Sequence, residues 1–142
     1  MNRPQVALAM LEQDGKWLVQ LRDDLAGIVY PGTWALFGGH LEAGETAIEA
    51  VQRELQEEIN WTTADLSPWF QQSSPQRVAH FFRGALTVPL NELTLLEGQD
   101  MVLASLNDLS SGELWSPQCN QNRSFAPSLQ WAITAILKER QA

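Results

Sequence analysis

The chain has 142 residues, 44% of them hydrophobic, which is enough apolar material for one sizeable core and too little length for two comfortable ones. Nine Lys and Arg against 17 Asp and Glu leave a formal net charge of −8, which argues against a surface built to neutralise the phosphates of duplex nucleic acid. A small polyphosphate approached through bound cations remains compatible with that balance, because the cations would carry the positive charge.

The N-terminal stretch MNRPQVALAM has no long apolar run, and no segment approaches the roughly 20 apolar residues of a membrane span. A cytoplasmic protein with no membrane partner is expected. The lone Cys119 excludes an internal disulfide and reads as an ordinary thiol in a loop.

In chain order, QVALAMLEQ (Gln5 to Gln13) and KWLVQLR (Lys16 to Arg22) are β-type runs on either side of Asp14-Gly15, a dipeptide that favours a tight hairpin turn. The next stretch, DDLAGIVYPGTW, is punctuated by Gly27, Pro31 and Gly32 and reads as a loop leading to a brief strand at Trp34 to Phe37. Thr46 followed by Glu49 is a capping-box pattern, and Ile48, Val51, Leu55 and Ile59 then recur at helical spacing. Further on, PWFQQ, RVAHFFRGAL and MVLAS read as strands, and Ser128 to Lys138 as a closing helix with Leu129, Ala132, Ile133 and Ile136 on its inner face. SSPQ and SPQCNQN read as polar loops. Strands mixed with two main helices, without regular βαβ alternation, predict an α+β or mixed-sheet sandwich with helices on both faces of the sheet.

The helix after Thr46 carries Glu54, Glu57 and Glu58 near its end. At 100° per residue these lie within an arc of about 100°, beside the arc of Ile48, Val51 and Leu55 that faces the core. Like charges at this spacing cost about 0.2–0.5 kcal/mol each, and acids near a helix C-terminus oppose its dipole. Stability alone does not select such an edge. One reading is a solvated acidic face. The other is a site for a hard divalent cation, which takes several carboxylate, water and phosphate oxygens and removes the repulsion. Gly38 and Gly39, ahead of a loop ending in Gly44-Glu45, favour the second reading, since backbone without side chains can approach the helix and offer a carbonyl.

Gly39, five residues, Glu45, seven residues, then Arg53-Glu54-Leu55-Gln56-Glu57-Glu58-Ile59-Asn60-Trp61 resembles the Nudix box of the Nudix hydrolases, the family that includes the MutT pyrophosphohydrolase. One fixed position departs from the family pattern: Asn60 stands where the family has glycine. A helix-ending residue in a left-handed conformation is expected there, and Asn tolerates that conformation. Trp61 fills a bulky apolar slot that is more often aliphatic.

The resemblance extends over most of the chain and implies a single Nudix hydrolase domain over residues 1–142. It implies the α/β Nudix fold, an α/β/α sandwich around a mixed β-sheet. It further implies hydrolysis of a diphosphate linkage in a nucleoside diphosphate joined to another group X, with Mg²⁺ or Mn²⁺ required. A nucleotide-like small molecule is then the partner, and the protein a monomer or homodimer. Carried over residue by residue, Glu54, Glu57 and Glu58 match the metal-binding carboxylates and the main-chain carbonyl of Gly39 a further ligand. Glu54 or Glu57 would take the proton from the attacking water. Arg53 matches the arginine that holds the loop and the glutamates, most simply through Glu45. In MutT-like members a glutamate beyond the box contributes, and LLEGQDMVLASL resembles that region, pointing to Glu97. A turn-forming exposed acid is the competing reading of Glu97.

Residues outside the box would choose the substrate. Arg22 falls near a position that reaches the base in MutT-like enzymes, although an arginine ending a strand is also simply solvated. Trp34 and Phe37 are candidates to stack on a nucleobase, worth about 1–3 kcal/mol, and are also candidates for packing residues of the strand before the box. MutT-like proteins usually carry proline at the position of Phe37, so their preference for oxidised guanine nucleotides does not transfer. His40 and His80 read as structural. Residues 114–128, with Trp115, Asn120, Asn122 and Arg123, read either as a loop covering the pocket or as a surface excursion. A Nudix-fold module that binds a nucleotide without hydrolysing it is the reading that competes with an enzyme.

Overall fold

The computed structural model describes residues 3–141. In chain order the elements are β1 (Gln5–Gln13), β2 (Lys16–Leu21), β3 (Trp34–Ala35), β4 (Phe37–His40), α1 (Ala47–Ile59), β5 (Leu66–Ser73) and β6 (Val78–Ala85). A 3-10 turn at Leu90–Glu92, β7 (Asp100–Ala104), α2 (Leu106–Ser110), β8 (Glu113–Ser116), β9 (Gln121–Ser124) and α3 (Pro127–Gln141) complete the chain. At the predicted turn both residues have positive φ, 52° at Asp14 and 77° at Gly15, as a two-residue type I′ turn requires. Two compact units share the chain: one takes residues up to Glu12 and Phe37–Leu96, the other Gln13–Leu36 and residues from Glu97 onward.

The first unit holds a mixed piece of sheet. β1 runs antiparallel to β4 and parallel to β6, and β5 runs antiparallel to β6 with a bulge between Pro68 and Phe70. Val6, Ala7, Leu8, Ala9, Met10 and Leu11 are all buried, the unbroken apolar run of a strand covered on both faces. Leu8 lies opposite Gly38 in the β1–β4 register. A Cβ on Gly38 would run into the Ala7 carbonyl oxygen and Leu8 Cα, and its φ is +140°, so only glycine lets β4 come this close to β1. Helix α1 packs against β4.

The second unit is antiparallel, with β2 paired to both β3 and β7, and with β8 and β9 forming a separate two-stranded ribbon. α3 packs against β3 and buries Leu129, Ala132, Ile133 and Ile136, the face its spacing predicts. The stretch read as a loop over residues 114–128 instead contains most of β8, all of β9 and the start of α3. β8 and β9 are four-residue strands with little apolar alternation, and α2 spans only five residues, so none of the three presents a period long enough to read.

Candidate active site

α1 begins and ends where its residue types dictate. The Thr46 hydroxyl accepts from the Glu49 N–H at 3.3 Å, and the Thr46 N–H donates to Glu49 Oε1 at 2.9 Å, which closes the capping box and holds the Glu49 carboxyl below its ordinary range. At the other end Asn60 is left-handed, φ 54° and ψ 37°, and its N–H returns to the Gln56 carbonyl. Val51, Leu55 and Ile59 are fully buried, each contributing about 1.5–3 kcal/mol relative to exposure. Acid repulsion on the adjacent edge costs about 0.2–0.5 kcal/mol per pair, so packing fixes the helix and the acids are carried on it.

Arg53 organises that edge. Its Nε donates to Glu45 Oε2 at 2.7 Å and its Nη2 to Glu45 Oε1 at 3.0 Å, a bidentate pair, while Nη2 also donates to the His40 carbonyl at 3.0 Å. Nη1 reaches Glu54 Oε1 at 3.0 Å, the two Glu57 oxygens at 3.3 and 3.4 Å and Glu42 Oε1 at 3.5 Å. The Arg53 hydrogen bonds, helped by the Glu42 N–H, pull the Glu45 carboxyl down to about 2. The Glu45 hydrogen bond in turn pushes Arg53 above its ordinary value. The loop Leu41 to Gly44 is closed by the Glu45 N–H on the Glu42 carbonyl and the Glu42 N–H on Glu45 Oε1.

The three glutamates of the edge have different environments. Glu58 is buried, 4% exposed, and its Oε1 accepts from the Gly38 N–H at 2.8 Å, tying the helix end to β4. Glu54 is 17% exposed and lies against Gly39, where an added Cβ would come within 2.7 Å of the Glu54 carboxyl carbon. Glu57 is half exposed, at 51%. The N–H of Leu96, next in the chain to Glu97, donates to the Glu58 carbonyl at 2.8 Å. Gly39, Arg53, Glu54, Glu57 and Glu58 are thus gathered within the first unit together with Glu45. Among the described residues no three acidic, histidine or cysteine side chains converge as closely as a ready-made metal cluster.

The remaining candidates have other settings. Trp34 and Phe37 are fully buried, and Trp34 Nε1 donates to the Leu114 carbonyl, so both are core residues with no ring face for a base. Arg22 Nε donates to the Val29 carbonyl at 2.8 Å and so braces the loop after β2. Glu97 is exposed beside Gly98, whose φ is +99°. His80 sits between Gln71 and Gln5, with ring-nitrogen distances of 2.9 and 2.7 Å, and burial lowers its pKa. Sequence reasoning missed Glu42, whose signal was its place three residues ahead of Glu45. It also missed Asp100, a buried carboxylate that accepts from the Ser116 hydroxyl at 2.7 Å and the Gln118 N–H at 3.3 Å. Ser116 Oγ also accepts from the Cys119 N–H, so the lone cysteine lies in a turn held by this pair.

The NUDIX domain family matches residues 1–120. Nucleoside triphosphatase NudI of Salmonella arizonae is 37% identical over 71 residues, which are 49% of this chain and 50% of that protein, so the chain spans about half the length of the curated relatives it matches. The MutT protein from Methanosarcina mazei Go1 superposes with a TM-score of 0.75 at 18% identity, covering 99% of this chain and 97% of that one. The NUDIX domain of Shewanella oneidensis NrtR, complexed with ADP ribose, superposes at 0.71 and 16% identity over 100% of this chain and 90% of that one. These likenesses show the mixed α/β fold that the sequence predicts.

Proposed function

This chain belongs to the Nudix hydrolase family, and from that premise we propose that it hydrolyses a diphosphate linkage in a nucleoside diphosphate joined to a group X, with residues 1–142 acting as one domain. The observation that carries this reading is the acidic edge of α1, held by Arg53 against the Gly38-Gly39 backbone. Nucleoside triphosphates lead the substrate classes, in line with the NudI relatives, ahead of oxidised nucleotides and nucleotide sugars.

The donor set fits Mg²⁺ or Mn²⁺. Glu54, Glu57 and Glu58 are hard oxygen donors, and the missing side chain of Gly39 leaves its backbone directly against the Glu54 carboxyl, a space that a Cβ would fill. Together with the Gly39 carbonyl these residues would hold the ion, which when bound neutralises diphosphate oxygens and lowers the pKa of water. The protein supplies the rest. Glu58, fixed by the Gly38 N–H, sets the distance between β4 and the helix. Glu54 or Glu57 would accept the proton of the attacking water. Arg53 keeps the acids and Glu45 in register.

A second reading is a module that binds a nucleotide without turning it over; the Shewanella domain of the same fold, complexed with ADP ribose, supports a nucleotide-like ligand under either reading. The four intact residues Arg53, Glu54, Glu57 and Glu58 favour the enzyme, since a pure sensor has no use for mutually repelling carboxylates. The deciding assay follows phosphate and nucleotide release from nucleoside triphosphates, oxidised nucleotides, nucleotide sugars and dinucleoside polyphosphates, with Mg²⁺ or EDTA. Turnover that EDTA abolishes supports the hydrolase. Ligand binding with no turnover of any panel member supports the module.

A further inference from the structure

The two sides of the Arg53 guanidinium do different things. Nε and Nη2 face the glycine loop, gripping both Glu45 oxygens and the His40 carbonyl. Nη1 faces the helix edge, where Glu54 Oε1 at 3.0 Å, Glu57 Oε2 at 3.3 Å, Glu57 Oε1 at 3.4 Å and Glu42 Oε1 at 3.5 Å surround it. Several carboxylate oxygens around one positive centre is the setting a hard divalent cation takes. Two of the three acids around Nη1, Glu54 and Glu57, are also residues assigned above to the metal. The planar fork lets one side of the guanidinium stay bonded when the other lets go, which a lysine ammonium cannot do.

We propose that Arg53 Nη1 is a built-in placeholder cation that holds Glu54 and Glu57 together and yields them to a divalent metal ion, while Nε and Nη2 keep Glu45 and the glycine loop in place. The proposal rests on the hydrolase reading and deepens it: cation binding becomes a displacement, and Arg53 weakens that binding while preserving the geometry that receives it. A purely orienting arginine has the opposite effect, because its loss would scatter the acids and weaken binding. Exposure of Glu57 and Glu42 at 51% and 68% leaves the Nη1 side open for exchange, whereas Glu45 on the anchored side is 15% exposed.

Two measurements on the full chain test this. In the first, a ¹⁵N-labelled chain is titrated with Mg²⁺ while the arginine side-chain resonances are followed. The Nη1 resonances of Arg53 are expected to shift and broaden, and Nε–H, held by Glu45, to move much less. Nη1 left unmoved at saturating Mg²⁺, or Nε–H moving equally, overturns the proposal. In the second, Mn²⁺ binding is measured by electron paramagnetic resonance at low ionic strength for the unsubstituted chain and Arg53→Gln. Removing the competing charge is expected to tighten binding by about threefold or more. Unchanged or weaker binding in an Arg53→Gln chain that circular dichroism shows to be folded overturns it. Should that variant not fold, the Mg²⁺ titration alone decides. Displacement seen without hydrolysis of any nucleotide would remove the hydrolase reading and leave the placeholder standing. A chain that binds neither ion at about 10 mM would remove both.

Discussion

In each unit an arginine from an element later in the chain ties down a loop, and the two ties differ in kind. In the first unit Arg53 clasps the glycine loop through Glu45 at 2.7 and 3.0 Å and through the His40 carbonyl, and faces Glu42, Glu54 and Glu57 as well. In the second, Arg123 Nη1 meets Asp24 Oδ2 at 3.3 Å and the Gly32 carbonyl at 3.4 Å, holding the loop between β2 and β3. The arginines are almost equally shielded, 23% and 25% exposed, so burial does not separate them. The number and arrangement of acids does. One pair at 3.3 Å with an Asp24 that is 56% exposed is a surface tether worth about 0–1 kcal/mol. Four acids around one guanidinium are more than a loop tether needs, and the proposed site rests on that excess.

The sharpest way to break this comparison is to neutralise one acid in each region. Glu57→Gln is expected to lower kcat/KM on the best nucleotide substrate by about 100-fold or more, roughly 2.7 kcal/mol of transition-state stabilisation. Asp24→Asn, which removes the acid of a single exposed surface pair, should leave kcat/KM within about twofold. Equal losses in the two variants would show that the acid count has been misread as chemistry.

Gly39→Ala separates folding from function within the first region. The new Cβ would meet the end of the flexible Glu54 side chain, within 2.7 Å of its carboxyl carbon, rather than backbone. Glu54 must therefore swing away while β4 and α1 keep their places. Denaturant unfolding is expected to change by less than about 1 kcal/mol, as when a flexible side chain shifts, while kcat/KM drops by about tenfold or more. A large loss of stability with unchanged turnover of the folded fraction would contradict this.

The Arg53 clasp also makes a prediction about pH. Glu45 is held at about 2, below its ordinary 4.5, by the Arg53 hydrogen bond first and the Glu42 N–H second. A depressed folded-state value means the pair supports the fold fully above pH 4.5, and this support fades as pH falls through about 2. Carboxyl-carbon NMR titration should find Glu45 still ionised at pH 3, and Arg53→Gln should return it toward 4.5.

How far these regions were legible follows from how local their interactions are. Thr46 with Glu49, and Asn60 at the helix end, act over a few residues, and both took the predicted conformations. The Arg53–Glu45 pair was legible through the family resemblance, because the box spacing names both residues. The ring around Nη1 was not, since Glu42 joins it only after the loop folds back. Glu58 was placed on a common edge with Glu54 and Glu57, yet it is buried on the Gly38 N–H, a difference that depends on where β4 lies. Trp34 and Phe37 were ambiguous for a similar reason. An aromatic residue beside a glycine loop reads the same whether its face meets a ligand or the core, and only the packing of β3 and β4 decided for the core. In the second unit the polar ribbon of β8 and β9 depends on Asp100 accepting from Ser116 and Gln118, partners 16 and 18 residues away, with no short-range signal.

The smallest expected effect concerns the one fixed position where the chain departs from the family pattern. Asn60 has φ 54° and ψ 37°, a conformation that costs an ordinary L-residue about 1–2 kcal/mol and Asn less. Its side chain recovers part of that cost, because Asn60 Oδ1 accepts from Gln56 Nε2 at 2.9 Å on the exposed side of the helix. Glycine would relieve the remaining strain but lose this bond and gain freedom in the unfolded chain, terms of similar size and opposite sign. Asn60→Gly should therefore shift the unfolding free energy by less than about 0.5 kcal/mol, whereas Asn60→Ala, which raises the strain and loses the bond, should cost about 1 kcal/mol or more. Glu58 precedes Asn60 by two residues and anchors through Gly38 rather than through the helix end, so kcat/KM should be unchanged in both variants. A turnover loss in Asn60→Gly would mean that the left-handed cap, and not only the Gly38 bond, sets the position of the acidic edge.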